Sequence, residues 1–194
     1  MWFTPVVSPE QSEEIVAEIE AASARARRLF EGMDTAALTR RPSAISWNVA
    51  ECLQHLVMTS KAMRSLIEPA LVGQERAGAR SNAPAGLGLL GWLLVKMLEP
   101  PVRFKTQTAA SFVPVNVPAP ADVLPTLCAE NEKIIVLTRR AAGLASAATT
   151  IVSPFNARAR YNAYAALRIT ATHLRRHLWQ AEQAKASRAG RARL

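Results

Sequence analysis

The chain contains three histidines, His55, His173 and His177, and two of them are spaced for joint chemistry. His173 and His177 stand at i and i+4 in a segment whose apolar periodicity predicts a helix. Both imidazoles therefore leave one face about one turn apart, roughly 6 Å between their stems. Helical zinc sites draw two ligands from this spacing. A third ligand must come from elsewhere, and His55 is the one histidine left. A lone histidine on a half-buried helix is more often a hydrogen-bonded core residue. A chain that uses histidine so sparingly and sets two in register favours a three-histidine site instead. Three neutral imidazoles would hold one divalent transition metal, with a coordination position open for water or a thiolate. Such a metal lowers the pKa of a bound water towards ~7, or keeps a thiol deprotonated.

Neighbouring residues carry weaker signals. Cys52, three residues before His55, reads as a core thiol, with a softer metal site as the alternative. Glu51 can orient His55 or act as a base, but a helix-capping role already explains it. Gln54 and Gln180 flank the ligands and read as surface or rim residues, Trp179 and Met63 as core. No Gly-rich phosphate loop, G-x-S-x-G elbow or H-E-x-x-H segment is present, so those chemistries have no support and no catalytic base can be assigned.

The elements that must position these residues are helices. Apolar residues make up 49 % of the chain, Gly is scarce, and alternating strand patterns are nearly absent, which gives an all-α class. The first helix is expected to start with Ser8 as N-cap and Pro9 at its first position. It buries Ile15, Ile19, Ala22, Ala26 and Leu29 and stops near Gly32. The second should begin with a capping box, Asn48 and Glu51, and a staple of Trp47 on Cys52. Its stripe of Val49, Leu53, Leu56, Met63 and Ile67 carries it to about Val72, with Pro69 weakening the last turn.

Between Gly73 and Ala121 the pattern fails, and half of the prolines fall there. Gly86 to Leu98 reads as a short apolar helix lying across the bundle, and Phe112 to Pro120 as extended. The third helix is expected from an Asp122 cap to about Ala142, ended by Gly143. After a loop containing Ser153-Pro154-Phe155, the fourth runs from about Arg160 past Gln183. One domain over residues 1–184 and a disordered basic tail over 185–194 follow.

The formal charge of +9 raises the question of polyanion partners. Lys185, Arg188, Arg191 and Arg193 sit in the tail and the other cations are scattered, which describes a solvated surface rather than a nucleic-acid stripe. Met1-Trp2-Phe3-Thr4-Pro5 lacks the pattern of a signal peptide. The run from Ala85 to Leu98 contains Lys96 and is too short to span a bilayer. Two cysteines do not make a disulfide framework. A cytoplasmic protein without nucleic-acid or membrane partners is expected.

Two segments together resemble a known family. Trp47-Asn48-Val49-Ala50-Glu51-Cys52-Leu53-Gln54-His55-Leu56 is similar to the W-(S/N)-x-A-E-x-L-x-H-L segment of DinB-like proteins. Ala171-Thr172-His173-Leu174-Arg175-Arg176-His177-Leu178-Trp179-Gln180 is similar to their closing H-x-x-R-H-x-x-Q motif. The resemblance implies an up-down-down-up four-helix bundle with a long crossover between helices two and three. It further implies zinc or nickel on His55, His173 and His177, and frequent homodimers. Members of known activity are mostly S-transferases using low-molecular-weight thiols such as bacillithiol or mycothiol, with a maleylpyruvate isomerase among them. The family name implies neither a polymerase nor DNA binding.

Two functions are then in view. One is a metal-dependent thiol transferase or hydrolase acting on a small molecule. The other is a non-catalytic, metal-bound helical module for binding or regulation. Space above the metal favours the enzyme, and a sealed site favours the module. Nucleic-acid binding by the tail is a third possibility, which would weaken steeply with salt.

Overall fold

The computed structural model describes residues 5–77, 84–102 and 107–191, the side chains of 188–191 excepted. Met1 to Thr4, and the end of the basic tail from Ala192 to Leu194, lie outside the described residues. Among the described residues there are six helices and one small hairpin: α1 (Pro9–Phe30), α2 (Thr35–Thr39), α3 (Val49–Ala77), α4 (Gly88–Leu98), α5 (Pro120–Ala141), β1 (Thr150–Val152), β2 (Arg160–Asn162) and α6 (Ala163–Arg191). A single 3-10 turn, Ala110–Phe112, lies in the crossover. The four long helices α1, α3, α5 and α6 form the bundle, each of the first pair α1 and α3 packing on both α5 and α6.

Pairings between side chains fix the helix directions. Ser12 donates to the carbonyl of Thr138 and Asn131 to Ser23, so α1 and α5 run antiparallel. Glu18 meets Arg175 and Arg25 meets Glu182, so α1 and α6 run parallel. Arg64 meets Glu130 and Arg140 meets Glu75, so α3 and α5 are also parallel. The order is up-down-down-up. Because α3 and α5 share a direction, the chain must return the full length of the bundle between them, which accounts for the long crossover.

Local signals start the helices. Ser8 and Gln11 form a reciprocal capping box ahead of Pro9. At α3, Asn48 Oδ1 accepts from Glu51 N and Glu51 Oε2 accepts from Asn48 N, each at 2.8 Å. The expected Asp122 cap is displaced. Pro120, with its φ already helical, opens α5 after Ala119, and Asp122 lies inside the first turn, where its charge still complements the helix dipole. Gly143, at φ +78°, follows the last turn of α5, a conformation that a Cβ disfavours.

Three boundaries also differ from expectation. The α3 helix passes through Pro69 to Ala77, because Ile67 and Leu71 on its inner face are fully buried and hold the turn that the proline weakens. Arg160–Asn162 is a strand, not helix: it pairs antiparallel with Thr150–Val152, setting buried Tyr161 opposite buried Ile151. The last helix then starts at Ala163, with Asn162 Oδ1 accepting from Ala165 N at 2.7 Å, and continues beyond Ala184 to Arg191.

The core is built from the expected stripes. Ile15 and Ile19 of α1, Leu53 and Leu56 of α3, Leu127 and Ile134 of α5, and Leu167 and Leu174 of α6 are all fully buried. Each contributes about 2 kcal/mol relative to exposure. The short apolar helix of the crossover exists as α4 and packs on α6. There Gly91 is required: a Cβ at that position would lie 2.6 Å from the Ala165 Cβ. Trp179, expected in the core, is only half-buried.

Candidate metal centre

The reciprocal Asn48/Glu51 cap fixes the first turn of α3, and His55 follows one turn later, 3 % exposed. His173 and His177 come from successive turns of α6, which packs antiparallel on α3. The three imidazoles meet between the two helices with centroids 4.3 to 5.2 Å apart. One ring nitrogen from each can be chosen so that all three lie within 4.8 Å of one another, a group that could hold a metal ion. Sequence positions 118 residues apart are thereby joined.

Hydrogen bonds on the far side of two rings decide which nitrogen faces inward. His55 Nδ1 donates to the Phe112 carbonyl at 2.8 Å, and His177 Nδ1 donates to Gln180 Oε1 at 2.9 Å. The Nε2 atoms of both rings are left with lone pairs. His55 Nε2 lies 3.4 Å from His173 Nε2. Two nitrogens bound at ~2.0–2.1 Å to one tetrahedral ion stand about 3.3–3.4 Å apart, so the spacing fits a shared cation. In the metal-free protein a proton on His173 would bridge the two, and a bound cation would replace it.

The surroundings keep these rings neutral, as a metal requires. Burial lowers the pKa of His55, against a smaller opposing effect of the Phe112 carbonyl. His173 is held well below the ordinary histidine value by burial, then by His55 and the Arg176 cation. His177 is held there by burial, then by His173, His55 and Arg176, against a smaller opposing effect of Gln180. Arg176 is itself buried and donates to the Met97 carbonyl at 3.2 Å, tying the end of α4 to the ligand-bearing turn.

Aromatic rings close the flanks. Trp47 lies 5.0 Å from His55 and stacks on His177 at 6.0 Å. From the hairpin loop, Phe155 stacks on His173 at 5.9 Å, and Phe112 meets Phe155 edge-on at 4.8 Å. Beside His173 is a water-sized cavity lined by Thr59, Ser60, Met63, Phe155, Ile169 and Thr170.

The other sequence candidates fall elsewhere. Glu51 is committed to its cap and to Arg41, whose Nε donates to both carboxylate oxygens at 2.9 and 3.0 Å. It does not orient His55; the Phe112 carbonyl does. Cys52 is fully buried in the core, and burial pushes its thiol far up, leaving it inert. Gln180, expected at the surface or rim, is half-buried there and in addition holds His177. Its place three residues after that histidine, on the same helical face, was the available signal. Phe112, Thr59 and Ser60 carried none.

Compared with known families, residues 18–181 match the model of the DinB superfamily, a span that includes all three histidines. Neither a curated protein nor a solved structure matches the chain.

Proposed function

The chain belongs to the DinB superfamily, and we propose that it is a metal-dependent enzyme whose His55, His173 and His177 hold one divalent transition metal, zinc or nickel. The observation that carries this is the convergence of three imidazole nitrogens within 4.8 Å, two of the rings already oriented through Nδ1. A metal held this way supplies a Lewis acid and stabilises an anionic oxygen or sulfur at neutral pH. The chain's own residues do the positioning. Phe112 and Gln180 fix the ligand tautomers, Trp47 and Phe155 shield the rings from bulk water, and Arg176 adds positive charge that favours an anionic reactant.

The reaction class that the superfamily resemblance supports is thiol-dependent S-transfer or hydrolysis on a small molecule, with a low-molecular-weight thiol as cosubstrate. Among the described residues no carboxylate hydrogen-bonds the imidazoles, which fits a thiolate nucleophile that needs no general base once deprotonated. The test is thiol consumption with a panel of small electrophiles, using zinc- and nickel-loaded protein beside His177→Ala. Turnover that disappears with the histidine supports the enzyme. Tight metal binding without turnover supports the second reading, a non-catalytic binding or regulatory module. That reading has its own observation, since the cavity beside His173 has room for a water and little more.

The same proposal includes a homodimer and a cytoplasmic setting. On α4, Leu89, Trp92, Leu93 and Met97 share one outward face and are 83, 51, 44 and 38 % exposed, an apolar patch suited to a second copy. Trp92→Glu should leave a monomer in sedimentation analysis; an unchanged mass would remove α4 from the interface. Cys52 and Cys128 are both free, the ordinary state in a reducing compartment. Among the described residues no helix is long and apolar enough to cross a membrane.

A further inference from the structure

Two of the three candidate ligands have their outer nitrogen tied down at 2.8 and 2.9 Å, whereas His173 does not. Its Nδ1 has only a long contact of 3.5 Å to Thr59 Oγ1. That hydroxyl already gives its proton to the His55 and Leu56 carbonyls, at 2.9 and 3.2 Å. Ligation through Nε2 requires a proton on Nδ1, and a buried N–H with no good acceptor costs about 1–3 kcal/mol.

Both partners of that long contact, Thr59 and His173, line the water-sized cavity. Ser60 lines it too. It is 2 % exposed, and its hydroxyl makes no hydrogen bond among the described residues. Thr170, on the same wall, donates its proton to the Ala166 carbonyl at 2.8 Å, and its oxygen can still accept. Met63, Ile169 and Phe155 complete an apolar rim. A cavity with about one water's room, lined by the Ser60 hydroxyl and by His173 Nδ1 without a close partner, is where an ordered water resides.

We infer that this cavity is a binding site for one ordered water, which accepts the Nδ1–H of His173 and donates to Ser60 and Thr170. The inference rests on the metal reading above. All three imidazoles are then fixed through Nδ1, by a backbone carbonyl, a side-chain amide and a water. Ser60 becomes a positioning residue of the centre, acting on the metal through the water and His173. The outer partner of a ligating histidine is typically worth 10–100-fold in metal affinity.

Two readouts test this on the full chain. The first follows magnetisation transfer from water to the Ile169 and Thr170 methyl groups, in metal-free and zinc-loaded protein, together with the 15N signals of the three histidines. Long-lived water contacts are expected in both forms, and a hydrogen-bonded His173 Nδ1–H in the zinc-loaded protein. The second is zinc affinity by chelator competition. Ser60→Val, which places methyl groups in the cavity, should abolish the water contacts and weaken zinc binding about tenfold. Ser60→Ala, the milder variant, should weaken it several-fold while the metal-free melting temperature hardly moves. Gln54→Ala, outside the cavity, should match wild type. Absent water contacts in wild type, or wild-type affinity in both Ser60 variants, would overturn the inference while leaving the metal site intact. If wild type bound no zinc, the metal reading would fall and Ser60's positioning role with it, while the water contacts in metal-free protein would still decide the cavity's occupant.

Discussion

Between α3 and α5, Glu130 is 3 % exposed, yet its oxygens are taken by Arg64 at 3.0 Å and Lys133 at 2.6 Å. Between α3 and α6, His55 and His177 are buried almost as deeply, but the inward nitrogens of the cluster face one another. Burial by itself would raise the Glu130 pKa; Lys133 and Arg64 hold it low. At the histidines burial lowers the pKa values, and the nearby charges named there deepen the effect for His173 and His177. One buried polar cluster is therefore complete within the chain, while the other leaves facing ring nitrogens that could hold a metal ion. This difference separates a structural clasp from a candidate binding centre, although both are buried polar clusters packed against the same helix α3.

Removing one half of each cluster should give opposite signatures. Zinc at a hundredfold excess over its Kd should stabilise wild type by about 2.7 kcal/mol, a melting shift of roughly 5–10 °C for a domain of this size. His177→Ala should lose that shift, with little or no destabilisation of the metal-free protein. A metal-free protein that melts far lower would mean the histidines are a core network instead. Arg64→Ala should do the reverse: a loss of about 2 kcal/mol in denaturant unfolding, from a carboxylate left poorly partnered, with the zinc shift retained. Gln180→Ala should weaken zinc binding about tenfold by freeing the His177 ring, read by chelator competition, with the metal-free stability nearly unchanged.

The smallest effect is in pH dependence, where the two clusters respond in separate windows. The histidine pKa values are lowered on folding, so the unfolded chain takes up protons first. Their contribution is complete above about 6.5, the unfolded value, and lost as pH falls towards the folded values. The Glu130 contribution is present above about 4.5 and lost below it. Metal-free stability should therefore decline in two stages on acidification. His55→Ala should flatten the upper stage and Glu130→Gln the lower, both visible in urea midpoints against pH.

What the sequence disclosed follows from how local each determinant is. The Ser8 cap, the Asn48 capping box, the inward stripes and the His173–His177 pair depend on residues within one or two turns, and they could be read directly. The amphipathic periods also located the four bundle helices, and an apolar run located α4. The short α2 helix and the strands β1 and β2 are too brief to show a period. At α5, a proline with a preset φ outcompeted an aspartate cap, which composition alone does not rank. The orientation of His55 depends on a carbonyl 57 residues away, in a crossover with no regular pattern. Gln180 lay in plain view beside His177, but its role required the α6 geometry.

Metal held by the three histidines is the central claim. Purified wild-type protein, His173→Ala and His177→Ala, loaded with zinc and dialysed side by side, should be compared by elemental analysis. About one ion per chain in wild type and little in either variant is the predicted result. Equal metal content in all three would contradict it.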